Sequence, residues 1–322
     1  MFGICIESSH QRGMGHLFRV LNLIEYLKEK KQNYVIFINN DKNAVFIIKE
    51  KNIPHEIVNL SDFQSDWESV LINKYNIDLW INDRLDTDIK HSQNVVKNNI
   101  KLVTFDDRGT GAKLADINIA ALSFNNSEEL KGKKILTGIK YLILNKEIEK
   151  YKRIRTKTER ILVTLGGSDT YGVTLKVVEI LKNLDKSATI ITGPSFQHKK
   201  ELENIIDDRF IIKKTVTSLI EEFYNYDIAV TGGGITPFEA NATGLPCIII
   251  ASEIHEIQTA QYLEKLGSSV FARYHENIDI KLFNQNYDIE KLSKIGLKTI
   301  KTDGVENIYN TIICRRNRTE KI

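Results

Sequence analysis

Short apolar runs and longer helical stripes follow one another from end to end of this chain, a rhythm that a parallel α/β architecture accommodates. In the first half the runs are Phe2–Glu7, Tyr34–Asn39, Asp78–Asn82, Lys101–Phe105 and Ile117–Ile119. Each is short, rich in Ile, Val and Phe, and without polar alternation, as expected of strands buried on both faces. Between the first two lies Leu17–Lys30, with apolar residues at Leu17, Val20, Leu21, Ile24 and Leu27. That spacing makes one apolar stripe on a helix. Strand, helix and strand in this order form a βαβ unit.

The second half repeats the pattern. Strands are expected at Ile161–Leu165, Ala188–Thr192, Phe210–Ile212, Asp227–Thr231, Cys247–Ala251 and Ser269–Phe271. Helices are expected at Val173–Leu184, Leu219–Tyr224, Pro237–Thr243 and Ile257–Leu266. The stretch from Asn145 to Arg160 is polar and dense in charge, the best candidate for a linker. Two doubly wound parallel-sheet domains follow, an N-terminal one over residues 1–150 and a C-terminal one over 151–322. A length of 322 residues suits two cores better than one.

Composition narrows the partners. Lys plus Arg number 45 against 42 Asp plus Glu, a net charge of +3, which argues against a nucleic-acid binder. The runs Lys28-Glu29-Lys30-Lys31 and Lys131-Gly132-Lys133-Lys134 read as solvated faces. Cys5, Cys247 and Cys314 are too few and too far apart for a disulfide framework, and no Cys/His spacing suggests a zinc site. No apolar run approaches the length of a membrane span, and Met1–Ile6 lacks the features of a signal peptide, so a cytoplasmic protein is expected. The basic tail Arg315-Arg316-Asn317-Arg318 reads as a solvated terminus.

Glycines gather where strands are expected to end, the edge at which open α/β sheets place ligands. The clusters are Gly13-Met14-Gly15-His16, Gly166-Gly167-Ser168-Asp169 and Gly232-Gly233-Gly234-Ile235-Thr236. Glycine lets backbone amides approach an anion, and the helix that follows adds its positive end, so a diphosphate is a plausible ligand of the second or third cluster. Tight strand-to-helix turns also need glycine. Neither a P-loop nor a complete dinucleotide fingerprint is present.

His16 follows a glycine turn at a helix start, where the positive end favours the uncharged ring; it can serve as a general base or simply cap the helix. Arg19, one turn on, can pair with an anion or form a salt bridge. Glu239 can accept both hydroxyls of a ribose or pair with its helix dipole, and Thr236 can donate to a phosphate or cap.

Gly13-Met14-Gly15-His16-Leu17-Phe18-Arg19 resembles the G-x-G-H-x-x-R motif of the PseG/SpsG group, relatives of MurG-like GT-B glycosyltransferases. The resemblance continues through Asn82-Asp83-Arg84-Leu85-Asp86-Thr87, Asp106-Asp107-Arg108-Gly109-Thr110-Gly111-Ala112-Lys113, Gly138–Leu144, Gly166–Asp169, Gly233–Glu239 and Gly244-Leu245-Pro246. It implies two Rossmann-like domains facing a cleft, with nucleotide on the C-terminal domain and a catalytic histidine, here His16, on the other. It also implies a small-molecule nucleotide sugar as substrate and turnover without metal or other cofactor. The implied substrate contacts are Gly13, Gly15, Arg19, Asp83, Gly166, Gly167, Ser168, Gly233, Gly234, Thr236, Glu239, His255 and Gln258.

Two departures bear on the chemistry. The hydrolases of the group carry an Asn-Gln pair where this chain has Ile257-Gln258, and a tyrosine shortly after the aspartate that Asp83 matches, where this chain has Arg84-Leu85. Three activities are therefore weighed: hydrolysis of a UDP-linked deoxy-amino sugar in nonulosonic-acid synthesis, transfer from a UDP- or CMP-sugar to a glycan acceptor, and nucleotide-sugar binding without turnover.

Overall fold

The computed structural model describes residues 1–8, 15–124, 130–193, 195–214 and 216–313. Gly13, Cys314 and the basic tail lie outside them.

The chain divides into two compact units, Met1–Leu144 with the segment from Asp303 onward, and Asn145–Thr302. The first contains β1 (Phe2–Ile6), α1 (Gly15–Glu29), β2 (Tyr34–Ile38), α2 (Lys42–Glu50), β3 (His55–Ile57), α3 (Trp67–Tyr75), β4 (Leu79–Asp83), α4 (Ile89–Val96), β5 (Lys101–Phe105), β6 (Ile117–Ala120) and β7 (Ile135–Thr137). Its sheet has the order β3-β2-β1-β4-β5-β6-β7, and every pairing is parallel. One face packs on α1, with Leu17, Val20, Ile24 and Leu27 buried against Ile4, Ile36 and Ile81. The other face carries Cys5, Phe37 and Trp80, whose rings stack at 4.9 Å.

The second unit contains β8 (Ile161–Thr164), α5 (Val173–Asn183), β9 (Ala188–Ile191), α6 (Lys199–Ile205), β10 (Phe210–Lys213), α7 (Leu219–Phe223), β11 (Ile228–Thr231), α8 (Thr236–Ala242), β12 (Cys247–Ala251), α9 (Glu256–Leu266), β13 (Ser269–Tyr274) and α10 (Ile289–Thr299). Its order is β10-β9-β8-β11-β12-β13, again parallel throughout. Each sheet thus reverses strand order once, between β1 and β4 in the first and between β8 and β11 in the second.

The last helix, α11 (Gly304–Ile313), corrects the sequence-derived boundary of 151–322, because it belongs to the first unit. Val305, Ile308 and Ile312 enter the first core, and Tyr309 packs on Tyr26 at 5.5 Å. Each such buried aliphatic contributes about 1.5–3 kcal/mol. The approach is close: a Cβ on Gly304 would meet the Leu142 carbonyl oxygen at 1.9 Å.

The expected linker is corrected as well, because it packs within the second unit. Lys146–Tyr151 forms a 3-10 turn with Ile148 buried. Arg155 is fully buried, its guanidinium donating to the carbonyls of Arg153 (2.9 Å), Phe223 (2.7 Å), Tyr226 (3.3 Å) and Thr243. Arginine's planar fork makes such multiple pairing possible, so local charge density misread this stretch as solvated. Cys5 and Cys247 are buried free thiols, and burial pushes both up to about 12, out of nucleophilic range.

Candidate active site

The first unit builds its cluster where strand order reverses. β1 and β4 are neighbours there, α1 begins after β1, and Asp83 is the last residue of β4. His16, in the first turn of α1, places Nδ1 2.5 Å from Asp83 Oδ1. Arg19, one turn on, donates from Nε to Asp83 Oδ2 at 2.8 Å and from Nη2 to Oδ1 at 2.5 Å. Its Nη1 donates to Asp106, just beyond β5, and its guanidinium carbon lies 5.1 Å from the centroid of the Phe105 ring. Asp106 adopts φ +51, a conformation uncommon outside glycine, so the backbone itself turns this carboxylate toward Arg19.

Asp83 is fully buried. Burial opposes its charge, but Arg19 and the hydrogen bond from His16 outweigh that and hold its carboxyl below the usual range. Arg19 is likewise pushed up by the two carboxylates, against the desolvation of its own burial. An ionised Asp83 can only accept, so His16 donates to it from Nδ1, and in the neutral ring the lone pair then lies on Nε2. This is the orienting arrangement of a general base.

Arg19 and Asp83, expected as substrate contacts, are engaged with each other and with His16. Asp106 is a member of the cluster that sequence reasoning quoted in a motif but gave no role. The rest of that motif joins two loops. Asp107 Oδ1 accepts from the amides of Thr87 (3.1 Å) and Gly109 (2.9 Å). A Cβ on Gly109 would meet the Thr87 nitrogen at 2.2 Å.

In the second unit the other two glycine clusters follow β8 and β11, the adjacent strands at that sheet's reversal. Gly166 has φ +88, and a Cβ on Gly166 or Gly167 would meet nothing within 4 Å. These glycines face open space, as a loop that admits a ligand to its amides does. Asp169 is different: it caps α5, accepting from the amides of Val173 and Thr174 at 2.8 Å each. Ser168 pairs with the Thr170 hydroxyl at 3.2 Å.

Gly233 answers to packing, because a Cβ there would come within 2.6 Å of Glu256 Cβ at the start of α9. Gly234 is less crowded: a Cβ there would lie 3.6 Å from Glu256 Oε1. Glu256, which the sequence did not single out, is fixed over this loop by accepting from the Ser252 amide at 2.8 Å. Thr236 opens α8, which has no side-chain cap. Glu239 lies in the first turn of α8, and burial alone pushes its carboxyl up to about 7. His255 is exposed at the start of α9, and Gln258 is partly buried in its first turn. Ile257 lines a cavity of about 550 Å³ with Phe271, Arg273 and Tyr274.

The second unit therefore gathers Gly166, Gly167, Ser168, Gly233, Gly234, Thr236, Glu239, His255 and Gln258 at the carboxyl edge of its sheet. The first gathers Gly15, His16, Arg19 and Asp83 at its own. Among the described residues no group of three or more His, Cys, Asp or Glu side chains is arranged to hold a metal ion, and no helix is long and apolar enough to cross a membrane.

No protein-family model matches the chain. An uncharacterised protein of Methanocaldococcus jannaschii is 29% identical over 95% of the chain, which spans 66% of that relative's length. The spore coat polysaccharide biosynthesis protein SpsG of Bacillus subtilis is 24% identical over 83% of this chain and 82% of its own. Among solved structures, MurG of Acinetobacter baumannii superposes with a TM-score of 0.71 at 13% identity, covering 97% of this chain and 99% of MurG. HepE of Anabaena, solved in complex with UDP, gives 0.71 at 12% identity over 98% and 100% of the two chains. The chain is thus a homologue of SpsG with the fold of MurG-like GT-B glycosyltransferases.

Proposed function

We propose that the protein turns over a nucleotide sugar by inverting displacement at the anomeric carbon, with His16 as general base and no metal. The His16–Asp83 pair carries this reading. A hydroxyl nucleophile gives its proton to His16 Nε2 as its oxygen bonds to the anomeric carbon. The bond from that carbon to the nucleotide breaks, and its electron pair leaves with the phosphate oxygen. The open Gly166-Gly167 loop and Gly234 supply amides for the phosphates, and Glu239 takes the ribose hydroxyls. The UDP complex of HepE supports a uridine nucleotide on this fold.

With water as the nucleophile the reaction is hydrolysis of a UDP-linked deoxy-amino sugar, the activity that the PseG resemblance implies. With a saccharide hydroxyl it is glycosyl transfer. The second reading is favoured by two observations: Ile257 stands where those hydrolases have asparagine, and the arginine after Asp83 is buried.

The test is incubation with UDP- and CMP-sugars, without and with saccharide acceptors, following products by mass spectrometry. Free sugar and nucleotide in equal amounts without acceptor assign hydrolysis; release that requires an acceptor, with sugar mass added to it, assigns transfer. His16→Asn should abolish turnover while nucleotide affinity stays within about threefold, since the base acts on the nucleophile. Full activity of that variant overturns the reading.

A further inference from the structure

The cavity of about 550 Å³ that Ile257 lines lies along β13, the edge strand of the second sheet. β12 separates β13 from β11, so β13 runs two strand spacings, roughly 10 Å, from the reversal that carries the glycine loops. Arg273, Asn277 and Asp279 line the cavity together with Ile257, Phe271 and Tyr274. We propose that it binds a small zwitterion with an apolar body, the chemistry of an α-amino acid with a large aliphatic or aromatic side chain. The proposal is independent of the nucleotide-sugar reading above.

Arg273 carries the argument. Between the paired positions Ile249–Phe271 and Ala251–Tyr274, β13 has one residue more than β12, a bulge that places Arg273 at φ +77. Asn and Asp make up six of the eight non-glycine residues with positive φ among those described, and Arg273 is the only one of the eight inside a strand. Such a backbone is costly for a long side chain, whereas glycine adopts it freely. Strain of this kind is kept where it aims a side chain at a ligand. Every other arginine among the described residues has a hydrogen-bond or ion-pair partner; Arg273 has none.

The two charges select the ligand. Asp279 forms no ion pair with Arg273 or with any other described residue, and its Oδ1 accepts from the Lys281 amide at 3.2 Å, which fixes the carboxylate in the wall. Glu264 of α9 serves the strand instead, accepting from the Phe271 amide at 3.1 Å. A plain anion entering the cavity meets Asp279 as well as Arg273, and a plain cation meets Arg273 as well as Asp279. A neutral ligand strips water from both charges and pairs neither. A carboxylate on Arg273 with an ammonium on Asp279 satisfies both, and the Asn277 amide can serve either end. Ile257, Phe271 and the Tyr274 ring then cover the apolar body.

The walls are held in place. The Asn277 amide donates to the Tyr274 carbonyl at 2.8 Å and the Asp279 amide to the Ala272 carbonyl at 3.1 Å, so the turn that carries both polar residues closes back on the bulge. Tyr274 packs on His275 with ring centroids 4.3 Å apart, and Phe271 is buried. The volume falls in the roughly 300–1,000 Å³ range of small-molecule sites.

The test is a saturation-transfer NMR titration of the full chain with L-leucine and L-phenylalanine. Each is compared with its N-acetyl derivative, which keeps only the carboxylate, and with its amide, which keeps only the ammonium. The proposal expects at least one free amino acid to bind, and both of its single-charge derivatives to bind at least about tenfold more weakly, the worth of one charge-assisted hydrogen bond. Arg273→Gly removes the guanidinium and relieves the backbone, so it should lose binding while its melting temperature equals or exceeds that of the wild type. Asp279→Asn keeps an acceptor for the Lys281 amide and should fold normally, with binding at least about tenfold weaker. Absence of signal from both free amino acids overturns the proposal, as does equal affinity for a single-charge derivative or wild-type affinity in either variant. A melting temperature well below wild type in Arg273→Gly also overturns it, because Arg273 would then serve the fold. Nucleotide-sugar turnover enters none of these measurements, so each reading can fail without the other.

Discussion

Asp83 Oδ1 lies 2.5 Å from His16 Nδ1, and this contact decides which ring nitrogen is free to take a proton. Asp83 ends a fully buried strand, so its carboxylate cannot move aside, and Arg19 grips both of its oxygens. Asp83→Asn keeps the shape but replaces an obligate acceptor with an amide that can donate to Nδ1. The proton then moves to Nε2 and the base is lost. We expect kcat to fall roughly 10²–10⁴-fold. Nucleotide affinity should change little, because the proposed nucleotide contacts belong to the second unit. A variant with near-normal kcat would remove Asp83 from the mechanism.

Glu239 predicts a pH dependence. Burial raises its carboxyl to about 7, so below that pH the folded protein holds it protonated. A protonated carboxyl has lost its charge and turned one of its oxygens into a donor, so it accepts more weakly from the two ribose hydroxyls, and a nucleotide sugar has no phosphate group that titrates near neutrality. Affinity for UDP-N-acetylglucosamine, measured by calorimetry, should therefore rise about tenfold between about pH 6 and pH 8, following the ionised fraction. Glu239→Gln should bind weakly and flatly across that window. Stability runs the other way. The unfolded carboxyl ionises near 4.5 while the folded one keeps its proton to about 7, so the wild type loses stability over that interval and Glu239→Gln does not. Melting temperatures of the two across the same interval give the check, and parallel curves would refute the raised carboxyl.

Two glycines should respond in opposite ways. Alanine at Gly109 would put a methyl 2.2 Å from the Thr87 backbone nitrogen, so Gly109→Ala should cost about 1–3 kcal/mol in a urea titration. A Cβ on Gly167 meets nothing within 4 Å, so Gly167→Ala should fold with stability within about 0.5 kcal/mol of wild type. The same methyl would stand where the phosphates approach the amides, and nucleotide affinity should fall at least about tenfold. Unchanged affinity in that variant would mean the loop is a turn and not a cradle.

What the sequence made legible, and what it hid, follows from where each signal resides. Strands such as Lys101–Phe105 and Cys247–Ala251 match to the residue, because a strand buried on both faces is rich in apolar residues without polar alternation. His55–Ile57 and Ile135–Thr137 escaped, since each is a three-residue edge strand with little buried surface to leave a pattern. α3 escaped because Glu68 and Ser69, polar residues, are among those it buries. At the site, His16 stood out through its glycine context. Arg19 and Asp83 were expected only as substrate contacts and Asp106 had no role; their meeting with His16 stayed hidden, because strand order brings them together and a single sequence carries no record of which strand ends are neighbours. The glycines of 232–234 looked alike in sequence; only the approach of Glu256 separates the one that packing requires from its neighbour.

Arg155 tests the reading of the stretch between the units, where composition and structure disagree most. A solvated linker would tolerate any substitution there. The buried guanidinium instead serves four carbonyl oxygens, those of Phe223 and Tyr226 around the end of α7, Thr243 after α8, and Arg153 beside it. Arg155→Met fills similar space but leaves these acceptors without their donor. Each lost partner costs about 1–3 kcal/mol, and removing a buried charge offsets part of that, so a net loss of about 3–5 kcal/mol is expected. Arg155→Lys keeps the charge but lacks the planar fork, so it should recover only part of the loss. Chemical denaturation, with hydrogen exchange read at the amides of α7 and α8, distinguishes the cases: early exchange confined to these helices marks the lost anchor. Wild-type stability in Arg155→Met would return the segment to the tether that its charge density suggests.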